Sequence, residues 1–267
     1  MDKKIITKVV FILLGIAGTC WAGCCAKNAA SKKDSLEVNL VETTLDQLKE
    51  KTGQLQSYQC ELEYLFSQPL LESATLRKGV LYYKKSDGRS ELRINFETLK
   101  QDDEQEQKYV EHYIFDGVWL TVIDYQIKQV KRYQQSEPNE PIDAFELAGR
   151  NFPLIGFSSA GELRKEFEIE LAEQEGSKEE NFIKLGLKVK PDSIYKDDYS
   201  KVEFWIDREL GLPARIVAVS TEEDIYDIKF LKVKVNEKIN EKVFEFKIPK
   251  GFGEPEIIPL KKRTKEK

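Results

Sequence analysis

The sequence has 267 residues, of which 33% are charged and 40% hydrophobic, and its formal net charge is −5. This composition excludes an integral membrane protein with several spans and a low-complexity chain, and the negative charge argues against a nucleic-acid-binding protein. Its 14 Phe, 11 Tyr and 3 Trp supply enough apolar surface for a packed core. One His and four Cys leave little room for histidine-based catalysis, a multi-histidine metal site or a disulfide-dense scaffold.

The N-terminus is typical of an export signal. Three lysines within the first eight residues precede an apolar run over residues 9–20, which is too short for a transmembrane helix but suits a signal-peptide core. The following Ala22-Gly23-Cys24 resembles the lipobox of bacterial lipoproteins, with Trp21 where an aliphatic residue is usual. The resemblance implies a lipoprotein-type signal peptide over residues 1–23 and lipidation of Cys24. Ordinary cleavage near Ala22 and a retained anchor are the alternatives, and each of the three exports the domain.

The first segment after the signal is predicted to be a tether followed by a helix. Residues 24–35 are small, polar and basic, and we interpret them as the tether. From Leu36 to Leu55 the apolar residues recur at helical spacing, with Val41, Leu45 and Leu48 on one stripe.

The next residues change to a period of two, which indicates a strand. In YQCELEYLF the aromatic and aliphatic side chains alternate with Gln and Glu. Cys60 lies on the apolar side of this segment, which favours a buried, inert thiol over a disulfide with Cys25.

Further strands are predicted along most of the remaining chain, with turn signals such as Asp116–Gly117 and Leu210–Gly211 between them. The candidates are residues 76–84, 91–96, 109–115, 118–124, 127–133, 167–171, 182–190, 201–207, 213–220, 225–235 and 243–248. An acidic run over residues 102–107 is expected to be a solvated hairpin loop.

Two stretches break this pattern. Residues 134–166 contain three prolines, the apolar patch FPLIGF and a short helix-like piece that Ser158 or Ser159 could cap, so we expect an insert that folds against the sheet. Residues 254–267 form a basic tail that we expect to be disordered.

Several strands are apolar on both faces, which predicts a curved sheet with cover on one side and a cavity or helix on the other. The predicted fold class is therefore mainly β with a few helices, arranged as an open, incomplete antiparallel β-barrel covered by helices.

The sequence contains no nucleophile elbow, no Walker loop, no H-E-x-x-H zinc motif and no paired C-x-x-C. His112, beside Glu111 and Tyr113 in a predicted strand, is interpreted as a wall residue. We expect no enzyme activity, no cofactor and no metal site.

The order of the segments resembles a known family. It is carried by a DG…W…Y hairpin at residues 116–125, a WID…GLP turn at 205–213 and a closing F…P.GF at 244–252, between a leading helix and an apolar insert. These pieces are similar to the LolA/LolB-type outer-membrane lipoprotein carrier (lipoprotein-sorting protein) family. The resemblance covers about residues 40–253, and we set the domain at 36–253. Lys84, Lys85 and Ser86 stand where the carrier has a basic residue and Pro.

The resemblance implies a domain that shelters acyl chains of lipoproteins or other lipids in an apolar cavity, for lipoprotein sorting or transfer at the cell envelope. It implies a periplasm-facing protein, held at the outer membrane through Cys24 and in contact with other sorting components. The cavity candidates are Tyr64, Phe66, Leu92, Ile94, Phe96, Phe115, Trp119 and Phe204. Two alternatives stay open: an envelope sensor or regulatory lipoprotein of the same fold that binds a partner protein, and aromatics that only fill the core.

Overall fold

The structure is a computed structural model that describes residues 22–86, 88–145, 147, 160–173 and 181–260. The FPLIGF patch, most of the signal peptide and residues 261–267 of the tail lie outside the described residues. The elements are, in chain order, α1 (Ala22–Gly53), β1 (Ser57–Gln68), β2 (Ser73–Ser86), β3 (Arg89–Gln101), β4 (Gln107–Phe115), β5 (Trp119–Asp124), β6 (Gln129–Gln134), α2 (Ala160–Glu166), β7 (Phe167–Leu171), β8 (Phe182–Val189), β9 (Tyr199–Asp207), β10 (Pro213–Ser220), β11 (Ile225–Val235) and β12 (Glu256–Ile258).

Helix α1 covers the sheet with the apolar stripe that the sequence predicts. Val41, Leu45 and Leu48 are buried in the main core. The predicted start at Leu36 was wrong, because the structure already shows helix from Ala22, its first described residue, and the helix takes in the segment interpreted as the tether. At about 1.5 Å per residue, a helical segment over residues 24–35 spans about 18 Å, roughly half the reach of an extended chain.

Eleven of the strands form one continuous antiparallel sheet, which the short β12 extends. The spatial order is β12-β6-β5-β4-β3-β2-β1-β11-β10-β9-β8-β7, and only the β12–β6 pair is parallel. The two end strands, β12 and β7, do not pair with each other, so the sheet is open. Phe115 of β4 and Phe167 of β7 nevertheless belong to one core cluster, which requires the sheet to curl around it. The predicted open, helix-covered antiparallel fold is confirmed.

The alternation in β1 sets which face of the sheet is inside. Tyr58, Cys60 and Leu62 are buried, whereas Glu61 is exposed. The β1–β2 register places Leu62 opposite Gly79, and a Cβ on that glycine would lie 2.0 Å from the Asn95 carbonyl oxygen. Gly79 therefore permits a close approach of β2 and β3 at their bulge.

The C-terminal segment differs from the prediction. Residues 243–248 are not a strand, although FEFKI alternates, because a 3-10 turn at Glu241–Val243 leads the chain onto the outer face. There Phe246 and Phe252 pack on a second cluster that contains Ile114. The expectation of disorder fails for residues 256–258, which pair with β6. This packing accounts for part of the two-faced apolar pattern in β4–β6.

The described parts of the insert pack against the sheet, as expected. Ala144, Phe145 and Leu147 are buried in the main core, and Phe145 stacks on Tyr83 with ring centroids 4.1 Å apart. Leu163 of α2 joins the same cluster. Arg164 of α2 forms an ion pair with Glu42 of α1, which connects the two helices.

Candidate functional site

The inner face of the sheet changes from closed to accessible along the strands. At the end nearest the C-terminus of α1, inward side chains such as Tyr58, Leu81 and Phe230 are at most 3% exposed. Toward the opposite end the inward side chains are aromatic and only half-buried: Tyr64, Phe66, Tyr199 and Tyr226. Tyr113 pairs with Ile94, level with Leu81, but it is also half-buried and its ring reaches Phe96, and we call these five residues the aromatic end. Burial thus leaves one end of the inner face accessible to a ligand.

The rings of the aromatic end form two groups of contacts, one on β1, β9 and β11 and the other on β1, β3 and β4. Phe66 and Tyr226 lie with centroids 5.1 Å apart, and Tyr226 meets Tyr199 edge-on at 6.3 Å. Tyr64 and Tyr113 approach the buried Phe96 at 6.2 and 6.1 Å. Aromatic surfaces of this kind contact apolar chains without requiring one fixed shape.

One ion pair lies among these rings. Arg77 occupies the inward position opposite Tyr64, and its Nη1 donates to Glu111 Oε2 at 2.6 Å. The guanidinium also lies 5.8 Å from the centre of the Phe96 ring and 5.6 Å from that of Tyr109. A guanidinium carries several N–H donors, so Arg77 places donors beside an apolar surface, where a carbonyl or phosphate oxygen of a ligand could accept a hydrogen bond.

The phenols of the aromatic end are neutral near pH 7. Burial raises the pKa of Tyr64 to about 12 and raises the pKa values of Tyr113 and Tyr199 above their ordinary range. Neighbouring carboxylates act in the same direction, with Glu111 raising the pKa of Tyr113 and Asp198 that of Tyr199. This end of the inner face therefore offers uncharged apolar and hydroxyl contacts.

The structure divides the predicted cavity residues into three groups. Tyr64 and Phe66 belong to the aromatic end. Five others are at most 5% exposed within the packed core: Leu92, Ile94, Phe96, Phe115 and Phe204. These five side chains lie on the inner face but are packed inside the core. A ligand could contact them only if the core rearranged.

Trp119 was wrongly grouped with the inner face. The β4–β5 register pairs Phe115 with Leu120, so Trp119 points to the outer side. Its ring lies 5.0 Å from the guanidinium of Arg132, and the Phe246 ring lies 5.3 Å from the same guanidinium. Trp119 also lines a cleft of about 710 Å³ with charged neighbours that include Lys84, Arg89, Glu91 and Asp116.

Sequence reasoning missed Arg77, Glu111, Tyr113, Tyr199 and Tyr226. Alternate residues of a strand share a face, so Gly79 and Arg77 lie on the same face as Leu81. The inward position of Arg77 could therefore have been predicted from the sequence. The other four could not be placed, because each depends on the pairing partner and on which end of its strand is covered.

The aromatic end has an acidic rim. A pocket of about 300 Å³ contains three tyrosines together with hydroxyl and carboxylate side chains, and its lining residues are Tyr195, Asp197, Asp198, Tyr199, Ser220, Thr221, Glu222, Asp224 and Tyr226. The rim disfavours an anionic group at this position because like charges repel.

The histidine and the cysteine whose side chains the structure describes lie away from this end. His112 is buried on the outer face, as the wall interpretation predicted, and Cys60 is a buried free thiol whose pKa burial raises to about 12. Within the described ranges, no three His, Cys, Asp or Glu side chains are grouped so as to hold a metal ion. No helix in that part of the chain is long and apolar enough to cross a membrane.

No protein-family model and no curated protein sequence matches this chain. Solved structures do match. An uncharacterised conserved protein from Thermus thermophilus aligns with 11% identity and a TM-score of 0.47 over 82% of this chain and 98% of that one. MucB aligns with 12% identity and a TM-score of 0.46 over 78% of this chain and 62% of MucB. A LolA superfamily protein from Nitrosomonas europaea aligns with 14% identity and a TM-score of 0.35, covering 77% and 97% of the two chains.

Proposed function

We propose that this chain is an exported, lipid-anchored envelope protein that binds acyl chains of lipoproteins or other lipids at the aromatic end of its inner sheet face. The observation that carries the proposal is the burial gradient along the strands, which leaves five inward aromatic side chains half-buried, two of them in contact with Phe96. Each methylene removed from water contributes about 0.8 kcal/mol, so a chain that contacts these rings over about six methylenes gains about 5 kcal/mol. Such a gain permits both binding and release.

The lipid anchor belongs to the proposal. The expected site is Cys24, which lies within α1. A lipoprotein anchor of two or three acyl chains holds a protein stably at one membrane. A helical segment between the anchor and the sheet keeps the sheet close to the bilayer, so the protein would receive or hand over lipid there rather than diffuse between membranes. We infer a periplasm-facing position at the outer membrane.

The test is displacement of a fluorescent fatty acid from the purified protein, with matched aromatic variants. Phe66→Ala and Tyr226→Ala each remove a ring from the aromatic end, and we expect affinity to fall about tenfold, which corresponds to about 1.4 kcal/mol. Phe246→Ala removes a half-buried ring from the outer face and is the control, with unchanged affinity. Equal effects of all three variants, or no fatty-acid binding, would contradict the proposal.

A sensor that binds a partner protein is the second candidate. It is favoured by the packing of the core, since five of the eight predicted cavity residues are at most 5% exposed. A domain whose core is already closed needs no lipid to be stable. Mass spectrometry of organic extracts separates the two functions: lipid that co-purifies with the protein supports lipid binding, and lipid-free protein bound to a partner supports the sensor.

A further inference from the structure

The edge strand β7 has backbone groups with no partner in the described part of the chain. Glu166 O accepts a hydrogen bond from Lys190 N at 3.0 Å, and Ala172 N donates to Lys184 O at 2.9 Å. Because hydrogen-bonded pairs alternate along an antiparallel ladder, the even-numbered residues of β7 bond to β8. Ile169 and Leu171 therefore direct their N–H and C=O groups away from β8, and because β7 is the last strand of the sheet, no described strand pairs with them.

A groove follows this edge. It has a volume of about 260 Å³ and lies between β7 and the first described side chains of α1, with Glu37, Val38, Val41, Glu42, Ile169, Glu170 and Leu171 as its lining. Val38 is 63% exposed, although it is apolar and belongs to a helix that covers the core. An apolar side chain from an added strand would bury Val38, and the added backbone would satisfy the donors and acceptors of β7.

The charge at this edge indicates the partner. The outward side chains of β7 are Glu168 and Glu170, both exposed. Glu168 has a weak ion pair with Lys188 at 3.8 Å, and Glu170 forms no ion pair with another described residue. In an antiparallel pairing of two β7 strands centred on Ile169, Glu168 of one copy would oppose Glu170 of the other. Because like charges directly opposite are destabilising, this edge disfavours a second copy and favours a basic strand.

We propose that β7 is a docking edge for an extended peptide segment of a partner protein, in which apolar residues alternate with lysine or arginine. The apolar residues enter the groove beside Val38, and the basic residues lie opposite Glu168 and Glu170. The partner adds a strand next to β7, with backbone hydrogen bonds at Ile169 and Leu171. This site lies beyond the proposed lipid function and does not depend on it.

The test measures binding of a fluorescent nine-residue peptide, which alternates valine and lysine, to the full-length protein. A peptide that alternates valine and glutamate is the matched control. Leu171→Pro removes the outward N–H of residue 171 together with the leucine side chain. Leu171→Ala also removes most of that side chain but keeps the N–H, and it is the matched control. We expect Leu171→Pro to weaken binding of the lysine peptide about tenfold and Leu171→Ala to change it less than about threefold.

The charge contribution is tested separately on the exposed face. The double variant Glu168→Lys/Glu170→Lys should bind the glutamate peptide more tightly than the lysine peptide, which reverses the preference of the wild type. This variant remains informative if Leu171→Pro does not fold. Equal binding by the two Leu171 variants, an unchanged charge preference, or a dimer of the wild type that Leu171→Pro disrupts would overturn the proposal.

Discussion

The single histidine should make the fold sensitive to acid. His112 has a side chain only 11% exposed, and burial, with the nearby Arg93 guanidinium, lowers its pKa from the ordinary 6.5 to about 4. Arg93 Nη2 lies 3.2 Å from His112 Nδ1, while Glu97 lies 3.8 Å from Nε2 and is half exposed. His112 is therefore protonated below about pH 6.5 in the unfolded chain but only below about pH 4 in the folded chain. Stability is full above pH 6.5 and falls as the pH drops through this window.

The size of the effect follows from the same values. A pKa lowered from 6.5 to about 4 corresponds to about 3 kcal/mol, because one pH unit is worth about 1.4 kcal/mol. His112→Asn retains an acceptor for Arg93 but does not titrate. Urea unfolding at pH 7 and pH 4 should show that the wild type loses about 3 kcal/mol more than the variant. Equal losses, or an imidazole that titrates near 6.5 by NMR in the folded protein, would refute the reasoning.

Two further predictions concern packing and are checked by thermal and urea unfolding. Gly79→Ala should lower the free energy of unfolding by at least about 2 kcal/mol, because the new Cβ would lie 2.0 Å from the Asn95 carbonyl oxygen. Gly53→Ala is its control and should be neutral or stabilising, because nothing lies within 4 Å of the new Cβ. Leu48→Ala should lower the free energy of unfolding by about 2–5 kcal/mol, because Leu48 is fully buried. Val38→Ala is its control and should change that free energy by less than about 0.5 kcal/mol, because Val38 is exposed. Equal costs within either pair would contradict the burial on which it rests.

Local periodicity was sufficient for most of the sheet. The alternation in β1 and the helical stripe of Val41, Leu45 and Leu48 depend only on neighbouring residues, and both gave the correct face. The bounds of β7, β10 and β11 were predicted as observed. The same rule failed for residues 243–248, since Phe246 is half-buried by contact with the outer face rather than by pairing in a strand.

The candidate site was less predictable because it depends on long-range pairing. Trp119 and Leu120 are equally apolar, and only the register with β4 shows which of them faces inward. Tyr226 meets Phe66 through the β1–β11 pairing, which joins strands about 160 residues apart in sequence. The position of β7 at the edge of the sheet could likewise not be predicted, because it depends on the order of all the strands.

The central claim is that an acyl chain binds at the aromatic end, and photo-cross-linking tests it most directly. The purified protein is irradiated with a fatty acid that carries a diazirine on its chain, digested, and mapped by mass spectrometry. We predict that the label falls on Tyr64, Phe66, Tyr113, Tyr199 or Tyr226, and that unlabelled fatty acid competes for it. Labelling confined to the outer face around Trp119 and Phe246, or labelling that excess fatty acid does not reduce, would contradict the account.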